Sequence, residues 1–113
     1  MNNRIFVSGS KAESVVMDVG HTRKNLCHSE ELSAHQYFVR KGSKFPIHSH
    51  PHAQFCFVIS GKTRVTIGSE RFECSEGDSY LIRPNVRHAT EALEDLVTVD
   101  VFVPARTEYL TGR

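Results

Sequence analysis

The run IHSHPHAQFCFVIS, residues 47–60, decides how this chain is interpreted. Its second half is apolar, rich in aromatic and β-branched residues, and of strand length. Residues 47–54 of this run carry His48, His50, His52 and Gln54. These four share one parity, so an extended backbone would direct them to one face. Because Pro51 lacks an N–H, we expect a bulged or loop-like approach, with regular pairing from about Gln54.

Around this run, short extended segments alternate with turn-forming residues. The links HSEE, KGSKFP, SGK, GSE, SEGD and RPNV contain the residues that favour turns. Between them we predict strands at residues 14–19, 21–27, 32–40, 53–60, 63–68, 71–75, 79–83, 89–93 and 96–103. This pattern predicts an all-β barrel or sandwich with mostly antiparallel neighbours and little helix. We expect residues 1–20 to form an N-terminal arm or edge strand and residues 21–113 to form one domain.

Length and composition limit the possible functions. A chain of 113 residues with 39% hydrophobic and 24% charged residues is typical of one globular domain. The net charge of +1 is spread along the chain, which argues against nucleic acid as a partner. No apolar run approaches the roughly 20 residues that span a bilayer, and the start lacks a signal-peptide core. We therefore expect no membrane partner, a cytoplasmic location, and three cysteines that are reduced and mostly buried.

The histidines predict a metal site. A two-residue spacing on an extended chain aims the imidazoles of His48 and His50 at a common point. A third nitrogen is available from His88, which follows the turn residues Pro84 and Asn85. With Gln54 these side chains would form a compact site whose open position is typical of a catalytic metal. The alternative is a set of surface or hydrogen-bonded histidines, which the dense spacing makes less attractive.

The segment LVTVDVFV, residues 96–103, places an acid in an apolar strand. Its valines share one side, and Thr98, Asp100 and Phe102 share the other. A buried charge is costly unless it is paired, so Asp100 is either ion-paired, for example with an arginine, or an acid/base facing a cavity. Arg106 offers a planar fork that could hold a carboxylate, or it is a surface residue near the chain end. Phe102 could belong to the hydrophobic core or to the wall of a pocket.

Two motifs resemble those of the cupins. Residues 42–61 read G-x5-H-x-H-x3-Q-x6-G, with Gln54 where glutamate is common. Residues 77–88 read G-x5-R-x-N-x2-H, with Arg83 and Asn85 in place of the usual proline and glycine. The resemblance covers the chain from about His21 onward. It implies a double-stranded β-helix, a jelly-roll-like barrel that is commonly dimeric and holds one metal ion.

A more specific resemblance is to the KdgF-type cupins, carried by HSHPHAQ and by the ending VDVFVPARTEYL. It implies metal ligands at His48, His50, Gln54 and His88, and a pocket lined by Asp100, Phe102 and Arg106. We accordingly expect Asp100 and Arg106 to be catalytic and Phe102 and Arg106 to bind substrate. The activity implied is the opening of 4,5-unsaturated uronate monomers, products of pectate and alginate lyases, to linear keto forms. We expect one divalent transition metal ion, Ni, Zn, Fe or Mn, and a small anionic substrate.

Other interpretations stay open at this stage. Many cupins are Fe(II) dioxygenases, although no acid lies in the first motif to complete the frequent two-histidine, one-carboxylate site. A non-catalytic module that binds a metal or senses a sugar acid is a further alternative. His52 could be a ligand, a support for the ligands or a surface residue, and Arg83 and Arg87 add positive charge that could favour anionic substrates. His21, His28 and His35 are interpreted as structural.

The strand at residues 53–60 is apolar on both sides. Phe55, Phe57 and Ile59 alternate with Gln54, Cys56 and Val58. A barrel wall of this kind requires cover by a second layer or by another subunit, so we expect a homodimer. On the strand at residues 32–40, parity permits only one of Gln36 and Tyr37 to face the interior.

Overall fold

The computed structural model describes residues 3–18 and 20–110, which form two antiparallel sheets. The strands are β1 (Ser14–Asp18), β2 (His21–His28), β3 (Ser33–Val39), β4 (Lys44–His48), β5 (Ala53–Ser60), β6 (Lys62–Ile67), β7 (Glu70–Ser75), β8 (Ser79–Ile82), β9 (His88–Ala92) and β10 (Leu96–Val103). The helical segments in this part of the chain are two 3-10 turns, Gly9–Lys11 and Thr107–Tyr109. No helix among the described residues is long and apolar enough to span a membrane.

The strands form a larger and a smaller sheet. The larger sheet has the order β1-β2-β3-β10-β5-β8, and the smaller has the order β4-β9-β6-β7. Several strands that are neighbours in a sheet are distant in sequence, such as β3 and β10, as in a jelly roll. The predicted all-β barrel is therefore confirmed.

Strand β4 differs from the sequence prediction, which assigned residues 41–46 to a link. It pairs antiparallel with β9, with Lys44 opposite Glu91 and His48 opposite His88, and a bulge lies between Phe45 and His48. Because β4 is an edge strand and Pro46 lies within the bulge, the missing N–H costs no ladder hydrogen bond. The irregular approach expected around Pro51 is a loop, because β4 ends at His48 and β5 begins at Ala53. The bulge lies earlier, in β4, and neither this bulge nor the strand that contains it was predicted.

The core lies between the sheets. Its buried cluster consists of Tyr37, Val39, Val58, Cys74, Ala92 and Leu96. Val58 and Val65 are fully buried, one on each sheet, and each stabilises the fold by roughly 1.5–3 kcal/mol. Cys56 and Cys74 are buried as expected, but Cys27 is exposed, and none of the three forms a disulfide.

Burial alternates strictly along β10, which lies between β3 and β5 at the centre of the larger sheet. Thr98, Asp100 and Phe102 face the interior, and the intervening valines face outward. A central strand is hydrogen-bonded on both sides, so it holds these three side chains in fixed positions. This is the element on which the site is built.

The outward face of the larger sheet is mainly apolar on the four strands β3, β10, β5 and β8, whereas β2 carries Thr22 and Lys24 there. Paired residues on β3, β5, β8 and β10 point to the same side, with Phe57 opposite Val99 and Phe55 opposite both Val101 and Leu81. Phe55 and Phe57 remain 42% and 40% exposed. No second layer from residues 3–18 or 20–110 covers this face.

Candidate active site

Three histidines meet at one end of the barrel because their strands pair there. His48 ends β4 and lies opposite His88, which begins β9. The ring centroids of His48 and His88 are 4.3 Å apart, and those of His50 and His88 are 4.8 Å apart. One ring nitrogen from each of the three lies within 4.8 Å of the others. These histidines could hold a metal ion.

Backbone carbonyls fix the tautomer of each ring. The Nδ1 atoms of His48, His50 and His88 lie 2.7, 3.0 and 2.9 Å from the carbonyl oxygens of residues 46, 52 and 86. A carbonyl oxygen only accepts, so each Nδ1 carries the hydrogen and each Nε2 presents a lone pair. Burial lowers the pKa of His50, and burial lowers that of His88 to about 4, which favours the neutral form. Three imidazoles whose rings are oriented by backbone carbonyls are suited to a transition metal.

Gln54 adds a fourth lone pair. Its Nε2 donates to Asp100 Oδ2 at 2.7 Å, which fixes the orientation of the amide. Its Oε1 then lies 3.0 Å from the Nε2 of His50. With the hydrogen of His50 on Nδ1, these two atoms are both acceptors, a contact that a shared cation would satisfy. The donor set of three nitrogens and one amide oxygen therefore fits a divalent transition metal.

Asp100 lies behind Gln54 and is 3% exposed. Besides the bond from Gln54, its Oδ1 accepts a hydrogen bond from the Thr98 hydroxyl at 2.7 Å. Burial raises the pKa of Asp100 to about 6, against the opposing effect of the bonds from Thr98, Gln54 and the Cys56 thiol. Among the described residues no salt bridge includes Asp100. The ion pair considered from the sequence is thus replaced by neutral partners.

A cavity of about 60 Å³ joins these groups. Its lining includes His48, Gln54, His88, Asp100, Phe102 and Arg106. Tyr37 also lines it, which decides the parity question in favour of Tyr37 over Gln36. The structure thus brings together every predicted site residue: His50 contacts Gln54 and His88 at the edge of the same cavity.

Several residues of the site were not singled out from the sequence. Thr98 lies on the same face of β10 as Asp100, so the alternation of the strand could have indicated it. Cys56 was assigned only to the core, yet it contacts Asp100. Tyr109 lines the cavity from the C-terminal turn, where no strand pattern indicates the direction of its side chain.

The open histidine assignments are partly decided. The His52 carbonyl holds the His50 ring, and the His52 imidazole is not part of the three-histidine cluster. His35 is fully buried, with Nδ1 2.9 Å from Asn25 Oδ1 and Nε2 2.9 Å from Ser33 Oγ. His21 stacks on Phe45. Both are consistent with structural roles.

The loop before His88 contacts the site through its backbone. Asn85 lies in the turn expected there, with a left-handed φ of 67°, and its N–H donates to the carbonyl of His50 at 2.8 Å. Arg83 and Arg87 flank this turn, and both are exposed.

The fold and the cluster together define a small β-barrel protein with a candidate mononuclear metal centre. The family model described as "Cupin domain" matches residues 35–103, more than half of the chain, so the chain belongs to the cupin family.

Two solved structures resemble the whole chain. An RmlC-like cupin from Shewanella frigidimarina is 28% identical, with a TM-score of 0.89, over 93% of this chain and 95% of that one. KdgF from Halomonas sp. is 27% identical, with a TM-score of 0.88, over 93% of this chain and 97% of that one. These likenesses extend over nearly the full length of both partners.

Two further likenesses are more limited. Mannose-1-phosphate guanylyltransferase RfbM of Salmonella typhimurium is 43% identical over 54 residues, 47% of this chain. The chain spans only 11% of that relative's length. Oxalate decarboxylase from Lactobacillus farciminis is 23% identical, with a TM-score of 0.76, and shares the fold. The match covers 92% of this chain and 33% of that one.

Proposed function

We propose that this cupin opens 4,5-unsaturated uronate monomers to linear keto forms, with one divalent transition metal ion, Ni, Zn, Fe or Mn, as its cofactor. The observation that carries the proposal is a single cavity lined by two of the clustered histidines, by Asp100 and by Arg106. The full-length likeness to KdgF from Halomonas sp. and the HSHPHAQ motif support it.

The reaction is an isomerisation and needs no co-reactant. The bond between the anomeric carbon and the ring oxygen breaks, and the anomeric hydroxyl loses its proton to become an aldehyde. The ring oxygen keeps the bonding electrons as an enolate, which becomes a ketone when the far alkene carbon takes a proton. The enzyme therefore has to move one proton and stabilise the negative charge that forms in between.

The chain's own residues supply these functions. Asp100, whose pKa burial raises to about 6, is suited to accept a proton and return it near neutral pH. Arg106 would hold the substrate carboxylate with two parallel hydrogen bonds, and Phe102 would form the wall beneath it. A cation bound by the histidines and Gln54 would supply Lewis acidity to a substrate oxygen. Because Gln54 is neutral, the ion would keep its full charge.

The test uses unsaturated uronate generated by a lyase and follows the loss of its ultraviolet absorbance against the spontaneous rate. Asp100→Asn is expected to lower kcat by about 100-fold or more, because the proton acceptor is lost. Elemental analysis of the same variant shows whether its metal content matches that of the unchanged protein. Removal of the metal by a chelator is expected to abolish the acceleration, and readdition to restore it. A metal-free protein that opens the substrate at the original rate would contradict the proposal.

The same preparations separate the alternatives. Oxygen consumption by iron-loaded protein would favour a dioxygenase. The described cluster offers three nitrogens and no carboxylate, and Asp100 reaches it only through Gln54. A sensor without catalysis would bind a sugar acid equally well with Asp100→Asn and show no turnover in either form. A cytoplasmic location stays a prediction.

We also propose that the protein is a homodimer joined through the outer face of the larger sheet. Four adjacent strands of up to eight residues give this face a projected area of roughly 500 Å², of the order that a stable interface buries on each partner. The smaller sheet differs, because Arg64 there pairs with Glu73 and Glu91 in solvent. A second copy of the chain is apolar on the same face and would cover it symmetrically.

A further inference from the structure

The C-terminal turn, residues 105–110, is anchored to the larger sheet through its backbone. The Arg106 N–H donates to the Ser33 hydroxyl at 2.9 Å, and Asn25 Nδ2 donates to the Tyr109 carbonyl at 2.9 Å. Ser33 and Asn25 are 0% and 5% exposed. Buried hydrogen bonds of this kind fix the path of the turn across the barrel. The two side chains that the turn brings to the cavity are Arg106 and Tyr109.

Neighbouring residues also fix the orientation of the Arg106 side chain. Its Nε donates to Glu108 Oε2 at 2.9 Å, and its Cζ lies 4.5 Å from the ring centroid of Tyr109 and 5.0 Å from that of Phe102. The Arg106 side chain is 16% exposed. Glu108 therefore uses only the Nε position. No side chain in residues 3–18 or 20–110 accepts a hydrogen bond from the two terminal nitrogens, which form the edge that binds a carboxylate in bidentate fashion.

Tyr109 is itself held in place from strand β2. The Cζ of Arg23 lies 4.0 Å from the Tyr109 ring centroid, and Arg23 Nε donates to Asn25 Oδ1 at 3.0 Å. The ring thus packs against two guanidinium groups, of which one belongs to the rigid sheet and the other to the cavity. A fixed ring restricts the rotamers of Arg106 without occupying any of its donors.

From these contacts we propose that Glu108 and Tyr109 are positioning residues, which fix Arg106 so that its two terminal nitrogens face the carboxylate of the anionic ligand. The identity of that ligand as a uronate rests on the proposed function. The arrangement itself requires only a small carboxylate.

The two possible roles of Glu108 predict opposite changes in ligand affinity when the side chain is removed. Glu108 is an acid beside the candidate carboxylate site, so it could compete with the ligand for Arg106. Partial burial raises the pKa of Glu108, but the hydrogen bond and charge of Arg106 outweigh this and leave the pKa below its usual value, so the side chain is ionised. Because it contacts Nε and leaves the bidentate edge open, we expect its removal to weaken ligand binding. A competitor would give the opposite result.

The test measures binding of D-galacturonate, a saturated uronate that cannot react, by calorimetry with metal-loaded and metal-free protein. Glu108→Ala and Tyr109→Leu are expected to raise Kd about tenfold in both forms, which corresponds to about 1.4 kcal/mol. Glu108→Gln retains an oxygen that accepts from Nε and should recover part of the loss. Tyr109→Phe retains the ring and should recover most of it. Glu70→Ala, an exposed acid on β7, is the matched control and should leave Kd unchanged.

Kinetics with the unsaturated substrate give a second measurement. Positioning predicts a raised KM with kcat nearly unchanged in Glu108→Ala, because substrate binding is weakened and the proton-transfer group is intact. The inference would be overturned if Glu108→Ala bound galacturonate as tightly as the original protein or more tightly. It would also be overturned if the original protein bound no galacturonate. If the binding series holds and no preparation opens unsaturated uronates, the proposed function fails and the positioning roles stand. If turnover is found and the binding series fails, the proposed function stands and the positioning roles fail.

Discussion

At the scale of single residues, the buried histidines differ in what their second nitrogen contacts. In His88, Nδ1 is bound to a carbonyl and Nε2 faces two other imidazoles. In His35, both nitrogens have partners, because Nδ1 donates to Asn25 and Nε2 accepts from the Ser33 hydroxyl. Burial lowers the pKa of both, to about 4 in His88 and about 3 in His35. The free lone pair, and not the low pKa, distinguishes a candidate ligand from a structural histidine.

His35 carries a prediction on stability against pH. Burial, followed by the charges of Arg23, His28 and Arg106, lowers its pKa to about 3 in the folded protein, whereas an unfolded histidine titrates near 6.5. Between these values the unfolded chain binds a proton that the folded protein does not. The stability that the neutral His35 contributes is therefore fully present above pH 6.5 and is lost as pH falls towards 3. We expect a loss of about 1.4 kcal/mol per pH unit below 6.5.

This contribution is measured by urea unfolding of the original protein and of the His35→Gln variant. Both proteins are unfolded in the presence of a chelator, at several pH values from 7.5 to 4.5. The variant cannot titrate at this position, so the difference in unfolding free energy between the two proteins should shrink as pH falls. A difference that stays constant across the range would show that His35 is not held neutral by the fold.

At the scale of elements, the turn between β5 and β6 depends on Gly61. Its φ of 94° is a backbone conformation that residues other than glycine rarely adopt. A Cβ at this position would also overlap the backbone oxygen of Asp95. Gly42 has a similar φ of 88°, but a Cβ added at this position would meet no atom within 4 Å. We expect Gly42→Ala to lower the unfolding free energy by about 1 kcal/mol and Gly61→Ala by about 3 kcal/mol or more. Equal losses in urea unfolding would contradict the role assigned to this close approach.

The strands differ in how well alternation predicts them. Strand β10 was predicted in full, because its inward and outward residues follow the two-residue period from end to end. Strand β4 was missed, because a proline and a bulge interrupt that period and its partner β9 lies far along the chain. Local pattern thus identifies the central strands, whereas an irregular edge strand depends on its partner.

At the scale of the whole molecule, the candidate site was predictable where its residues lie on strands. His48, His88 and Asp100 carry side-chain types and positions that direct them to the barrel interior. Glu108 and Tyr109 lie in a turn, whose path is set by hydrogen bonds to Asn25 and Ser33. Their contacts with Arg106 therefore depend on tertiary packing that no local period encodes.

The apolar outer face leads to the last prediction. Phe57 lies opposite Val99 at the centre of this face, so an aspartate there would place a charge in the middle of the proposed dimer interface. Because the Phe57 side chain is 40% exposed in the single chain, Phe57→Asp should leave each barrel folded. Sedimentation equilibrium should give twice the chain mass of 12.8 kDa for the unchanged protein and the single mass for this variant. Glu73→Lys, on the outer face of the smaller sheet, is the matched control and should remain a dimer. A monomeric unchanged protein, or a Phe57→Asp variant that still pairs, would mean that this face is not where two copies meet.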